Sequence, residues 1–197
     1  LNKLLAMGGG GFVAGEDFSF GRGRSAGIKE LNNFCAKNRI VSEIVKIVSD
    51  GGRKISSSDI RDFLASGDVP SANALLGRRY FICGDVVRGR GEGHKFGVPT
   101  ANVIVPPVKL LPKQGVYKTT TETEGKIYRS LTNIGCKPTF NEASDTVETL
   151  IIGYSGNLYG KRICVSFDRR IRDVQKFNSA EELAAQIEKD KIEACCD

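Results

Sequence analysis

From Tyr80 onward the chain is written as short strands. Tyr80–Val87, Val116–Glu122, Lys126–Ile134, Thr146–Tyr154 and Arg162–Asp168 are each rich in β-branched or aromatic residues and bounded by Gly, Pro or Asn. Short runs punctuated by turn residues read as strands. No helical period separates them, so parallel crossover units are excluded and the strands close as an antiparallel barrel or a sandwich. One helix follows. Ser179 and Glu182 make a capping box ahead of an apolar stripe of Leu183, Ala184 and Ile187, and this helix is expected to cover a barrel opening.

The first 72 residues have a different character. A strand candidate at Phe12–Ala14 follows a glycine cluster, an amphipathic helix is expected over Gly27–Lys37, and Arg39–Val48 alternates like a strand. Ser56, Ser57 and Ser58 then open a short helix, Asp59–Ala65, stopped by Gly67, and Asp68 with Pro70 starts another. Two strands are too few for a doubly wound sheet. The expected division is an α/β segment over residues 1–72 and a barrel over residues 73–197.

Composition narrows the partners. The chain has 197 residues, 40% hydrophobic and 26% charged, which describes an ordinary globular protein. No apolar run approaches the ~18 residues that cross a membrane, and the N-terminus lacks a secretory pattern. Six cysteines without a C-x-x-C pair, and a single His, speak against zinc. The expectation is a cytoplasmic protein with reduced thiols, Cys83 and Cys164 serving as small core residues. Of the net charge of +6, an excess of +3 lies between Arg78 and Lys95, where five basic residues face two acidic ones. Such focusing suits a nucleotide polyphosphate better than a nucleic acid, whose sites spread charge and interleave aromatics.

That basic region contains GRGEGHKFGVPTAN, Gly89 to Asn102. Gly89, Gly91, Gly93 and Gly97 let backbone amides approach an anion, and Arg90, His94 and Lys95 add positive charge. The Thr100 hydroxyl and Asn102 amide offer hard oxygen ligands of the kind Mg2+ prefers. The pattern is not a P-loop, because no Lys-Ser/Thr pair follows the glycines. The residues alone also allow a plain turn, with Asn102 capping the backbone after Pro99. Phosphoryl transfer further needs a proton acceptor, and Glu148, inside the strand T-V-E-T-L-I-I, is the candidate. Alternate residues of a small barrel point inward, so Glu148 can face an enclosed site; an outward, solvated Glu is the alternative.

Taken in order, GRGEGHKFGVPTAN, LPKQGVY (Leu111 to Tyr117), NIGCKPTF (Asn133 to Phe140), VETLII (Val147 to Ile152), GNLYGKRICVSF (Gly156 to Phe167) and RDVQKFNSAEELAAQI (Arg172 to Ile187) resemble the riboflavin kinase domain of bacterial bifunctional riboflavin kinase/FMN adenylyltransferases. The resemblance spans roughly residues 76 to 194. It implies an α+β chain built on a small antiparallel Greek-key β-barrel with a C-terminal helix, and transfer of the ATP γ-phosphate to riboflavin to give FMN. It also implies Glu148 as catalytic base and Thr100 and Asn102 as residues meeting Mg2+ and the phosphates. One departure stands out: the family commonly has His two residues after the Glu, and here that residue is Leu150. A non-catalytic flavin- or nucleotide-binding module is therefore a rival reading.

Two earlier motifs, GEDFSFGRGRSAG (Gly15 to Gly27) and ISSSDIR (Ile55 to Arg61), resemble the FMN adenylyltransferase domain of the same proteins. They imply a truncated α/β nucleotidyltransferase segment, with Ser56, Ser57, Ser58 and Arg61 as a vestigial nucleotide site at a helix N-terminus. The paired-histidine signature of that domain is not in this chain, whose one His is His94, so FAD synthesis is expected to need a further segment. The expected partners are thus riboflavin, ATP and FMN, without nucleic acid or membrane.

Overall fold

The computed structural model describes residues 1–50, 53–89, 99–138 and 143–196, and contacts divide the chain into two units, Leu1–Ile55 and Ser56–Asp197. In the first, after a short helix α1 (Asn2–Ala6), β1 (Gly11–Gly15) pairs in parallel with β2 (Val41–Val45). Parallel pairing requires a crossover, and α2 (Ile28–Asn38) supplies it, burying Leu31 and Cys35. Of the alternation at Arg39–Val48 only the β2 stretch is paired this way. A small antiparallel pair, β3 (Ser49–Asp50) with β4 (Arg53–Lys54), ends the unit.

The second unit opens with two helices, α3 (Ser57–Ser66) and α4 (Val69–Leu76). Ser56 Oγ accepts from the Asp59 N–H at 3.1 Å and Asp68 Oδ1 from the Ser71 N–H at 3.2 Å, the N-caps that the residue types demand. Gly67, at φ 88°, ends α3 in the left-handed region. Both helices pack with the barrel: Leu64, Val69 and Ala72 share one core with Ile82, Ile134, Val165 and Phe167. Asn73 ties α4 to two strands, accepting from the Tyr80 N–H at 2.6 Å and donating to the Phe167 carbonyl at 3.0 Å. The boundary expected at 72/73 falls inside α4, whereas the compact units divide between Ile55 and Ser56.

Six strands close the barrel: β5 (Tyr80–Val87), β6 (Ala101–Ile104), β7 (Gly115–Thr123), β8 (Lys126–Pro138), β9 (Ala143–Ile151) and β10 (Arg162–Arg172), in the spatial order β10-β5-β6-β9-β8-β7. The hairpins β7–β8–β9 with β10 returning beside β7 form a Greek key. Strand parity separates the two faces. Ile82, Tyr117, Ile134, Val147, Ile151, Val165 and Phe167 point inward. Among them runs a ladder of buried hydroxyls: Thr121 to Ser130 at 2.8 Å, Ser130 to Thr119 at 2.8 Å, Thr119 to Thr132 at 2.9 Å and Thr132 to Thr149 at 3.0 Å. Each hydroxyl satisfies its neighbour, which makes a polar stripe tolerable inside an apolar core. Gly84 lets β6 approach β5, because a Cβ there would lie 1.9 Å from the Ile104 carbonyl oxygen.

Two expectations are corrected, and one alternative reading is set aside. The last helix, α5 (Ala180–Cys195), does not cover a barrel opening. It lies along the outer wall, where Val116, Leu131 and Leu150 pack with Ala194 and Ile187. Its apolar stripe finds an apolar strip on outward-facing strand positions, and an amphipathic helix buries its stripe wherever such a strip is longest. Asn102 does not cap a turn, since it lies in β6. Cys83 and Cys164 are not separate core thiols: they oppose each other on β5 and β10 and are joined as a disulfide. Directly opposed antiparallel positions bring Cβ atoms within bonding reach, a juxtaposition that local sequence does not reveal.

Candidate active site

A single rung of the sheet organises the site. Reading across β6, β9, β8, β7 and β10, Asn102 opposes Glu148, Glu148 opposes Asn133, Asn133 opposes Val116, and Val116 opposes Arg172. Directly opposed residues share a face. Val147 and Thr149 take the barrel interior, so Glu148 projects from the outer wall into the groove beneath α5. The inward orientation expected for Glu148 is therefore corrected: the residue is half-buried and lines a groove on the outer wall.

That space is a cavity of about 430 Å³. Val116, Leu131 and Leu150 form its floor, Phe177, Leu183 and Ile187 its roof, and Thr100, Asn133 and Glu148 concentrate polar groups at one end. An apolar slot with a few convergent polar groups is the usual form of a small-molecule site. At the other end Arg172 meets Asp190 of α5, Nε and Nη2 reaching its carboxylate at 3.0 and 2.7 Å.

A second cavity, of about 610 Å³, is also lined by Thr100. Arg88, Pro99, Thr149, Tyr154, Asn157 and Tyr159 are among its walls. The Arg88 guanidinium lies 5.5 Å from the Tyr159 ring centroid. Tyr154 donates to Glu124 Oε2 at 3.3 Å, and Lys161 Nζ reaches Glu124 Oε1 at 2.5 Å. The hydrogen bond from Lys161 holds the Glu124 carboxyl below its ordinary range, and the same bond raises Lys161; burial first, and then Glu124, push Tyr154 up.

Of the residues singled out from the sequence, Thr100 borders both cavities and Glu148 lines the first. Asn102 lines neither, but it is the cross-strand neighbour of Glu148. Gly89 abuts Asn102 so closely that a Cβ on it would lie 2.3 Å from the amide Nδ2. Arg90, Gly91, Gly93, His94, Lys95 and Gly97 lie outside the described residues. Ser56, Ser57, Ser58 and Arg61 stand apart from this rung on α3: Ser56 caps the helix, and Ser58 Oγ accepts from Arg61 Nη2 at 3.2 Å.

Sequence reasoning missed Asn133, Arg172, Asp190 and the aromatic walls Tyr154, Tyr159 and Phe177. Each is an ordinary residue by local pattern. The register alone brings Asn133 beside Glu148: they lie on the two strands of one hairpin, at matching distances from its Pro138–Ala143 pair.

The riboflavin kinase (flavokinase) family model matches residues 76–195. The bifunctional riboflavin kinase/FMN adenylyltransferase of Bacillus subtilis (strain 168) is 39% identical over 185 residues, 92% of this chain and 58% of the relative. Its counterpart in Listeria monocytogenes is 33% identical over 191 residues, 96% of this chain and 60% of the relative. The chain therefore spans somewhat over half the length of these curated relatives. The crystal structure of a macrolide-efflux protein from Streptococcus pneumoniae has a TM-score of 0.82 at 32% identity, covering 95% of this chain and 60% of that one. Among the described residues no helix is long and apolar enough to cross a membrane. With a family model covering most of its length and a relative 39% identical over 92% of it, the chain belongs to the riboflavin kinase family.

Proposed function

We propose that this chain transfers the γ-phosphate of ATP to the 5′-hydroxyl of riboflavin, releasing ADP and FMN. The observation that carries the reading is the position of Thr100 between two cavities, one of them apolar and lined by Glu148. A transferase for two substrates needs two sites that meet at the reacting atoms. The flat, apolar flavin suits the slot under α5, with its ribityl chain toward Thr100, Asn133 and Glu148. The nucleotide suits the second cavity, its phosphates reaching Thr100; the Gly- and Arg-rich sequence from Gly89 to Gly97, with Arg90, His94 and Lys95, is the candidate for binding them.

In the transfer the ribityl O5′ forms a bond to Pγ, the bond from Pγ to the β–γ bridging oxygen breaks, and the hydroxyl proton passes to Glu148. Such transition states are loose, so positioning and charge stabilisation supply most of the rate. Asn102 and Asn133 flank Glu148 on neighbouring strands and hold that stretch of wall polar. The Thr100 hydroxyl and Asn102 amide oxygen fit Mg2+, which binds through few protein ligands and completes its shell with phosphate oxygens and water. Bound there with ATP, it would neutralise charge on the phosphates. The apolar walls of the slot exclude water that would otherwise compete with the sugar hydroxyl.

The test is to mix the purified chain with riboflavin and Mg-ATP and to separate the flavins by chromatography. FMN is the expected product. FMN followed by FAD would extend the assignment to the residues before the barrel. Flavin binding without any product would replace the kinase by a non-catalytic flavin-binding module and direct attention to Leu150.

A further inference from the structure

Two residues at the far end of the slot from Glu148 are not needed for phosphoryl transfer, yet they are built with more care than anything else on the wall. Arg172 ends β10 and Asp190 lies on α5. The Arg172 Nε reaches both carboxylate oxygens at 3.0 Å and Nη2 reaches Oδ2 at 2.7 Å. Gln186 Nε2 donates to Asp190 Oδ1 at 2.8 Å, and Arg172 Nη1 donates to the Asp173 carbonyl at 3.0 Å. The guanidinium lies 5.8 Å from the Phe177 ring centroid. Asp190 is buried and Arg172 partly so, with side-chain exposures of 3% and 16%.

Other contacts already fasten α5 to the barrel. Arg169 pairs with Glu193 at 2.6 Å, Arg129 Nη1 donates to the Cys195 carbonyl at 3.1 Å, and Lys118 Nζ donates to the Cys196 carbonyl at 2.5 Å. All of these lie at the C-terminal end of the helix. Among these anchors, the Arg172–Asp190 pair alone lines the cavity. A buried ion pair is a poor way merely to hold a helix, because apolar residues of similar volume do so as well or better. A planar guanidinium gripped on one edge by a carboxylate is, however, a good way to set a spacing.

The dimensions give that spacing a meaning. Glu148 and Arg172 lie on one rung, three strand-to-strand steps apart, which is about 14 Å at the usual interstrand distance. That is roughly the reach of a flavin with its sugar chain extended. With the 5′-hydroxyl at Glu148, the tricyclic ring lies toward Arg172, between Leu131 and Leu150 below and Phe177, Leu183 and Ile187 above.

Resting on the kinase reading above, we propose that Arg172, fixed by Asp190, is a positioning residue that sets the height of the slot at the ring end and holds Phe177 as its lid. The pair thereby selects a flat tricyclic ring at the far end of the slot.

The test uses the full chain and three variants, Asp190→Asn, Arg172→Lys and the double variant Arg172→Met/Asp190→Leu. Riboflavin affinity is read by quenching of flavin fluorescence, and steady-state constants are read separately for riboflavin and ATP. In both single variants the riboflavin Kd and KM are expected to rise about tenfold, with the ATP KM within about twofold and kcat at saturating flavin little changed, the pattern of lost substrate binding. The double variant replaces the charges by apolar volume and is expected to keep the thermal stability of the parent while failing to regain riboflavin affinity. Parental riboflavin affinity in the double variant would make the pair structural only and overturn the proposal. If the parent chain itself binds no flavin, the proposed function falls and this inference falls with it, which distinguishes the two failures.

Discussion

Asn102 and Glu148 face each other across the β6–β9 ladder, and Asn102 in turn rests against the backbone of Gly89. The first glycine of the basic loop, the amide of the PTAN motif and the candidate base are thus mechanically continuous. A displacement at Gly89 is passed on through Asn102 to the strand that carries Glu148.

Replacing Glu148 by Gln removes the proton acceptor while keeping shape and hydrogen bonding. Because Glu148 is half-buried on a wall otherwise held by Leu131 and Leu150, the fold and riboflavin affinity are expected to persist while kcat drops by about 10²–10⁴-fold, the usual worth of a positioned acid–base group. Single-turnover kinetics of FMN formation measure it. A kcat within a few-fold of the parent would remove Glu148 from the mechanism.

Gly89→Ala places a Cβ at 2.3 Å from the Asn102 amide nitrogen, so that side chain must move. The colliding atom ends a short side chain, so stability is expected to change little. Activity is expected to fall about tenfold or more, since small misplacements at a reacting centre are costly. Adding Gly89→Ala to Asn102→Ala should then cost almost nothing further, a non-additivity that a double-mutant cycle reads directly. Additive losses would break the proposed link.

The disulfide between Cys83 and Cys164 leaves Cys35, Cys136, Cys195 and Cys196 free. Thiol titration of the denatured, unreduced protein is expected to find these four thiols, and all six cysteines after reduction. Reduction is expected to lower stability by about 2–4 kcal/mol, as for other long-loop crosslinks. Six thiols before reduction would refute the crosslink in the isolated protein.

Glu124 and Lys161 give a pH signature. The Glu124 pKa is lowered in the folded state, so its contribution to stability is complete above its unfolded pKa and disappears as pH falls through the folded one. The Lys161 pKa is raised, so its share is complete below the ordinary lysine pKa and is lost as pH rises through the higher folded value. Melting temperatures of the parent and of Glu124→Gln should differ by a constant amount through neutral pH and converge below the ordinary glutamate range. A difference that grows in acid would have the wrong sign.

Much of the barrel was legible because its strands alternate strongly. The expectation for Tyr80–Val87 coincides with β5, whose inner Tyr80, Ile82 and Val86 are buried and whose outer Phe81 and Asp85 are exposed. β6 was hidden, because Pro99-Thr100-Ala101-Asn102 carries turn-forming residues and only four residues join the sheet. Parity showed that Glu148 and Leu150 share a face but not which face holds the core; Val147, Thr149 and Ile151 decide that by packing inside. Leu150, where the family commonly has His, is explained in part by its neighbours: it is buried with Val116 and Leu131 against α5. Contacts between distant segments, such as Arg172 with Asp190 or Cys83 with Cys164, depend on register and helix placement, and short-range pattern contains neither.

The two helices before the barrel bear on how such a gene can be cut. The motif ISSSDIR resembles one catalytic module, yet the helix it opens packs with the core of the other, Leu64 lying among barrel residues. A recombination or cloning junction placed where the family match begins, at residue 76, would remove Leu64, Val69 and Ala72 from the barrel core. The segment from Ser56 belongs to the same compact unit as the barrel, so that unit begins well ahead of residue 76, where the family match starts.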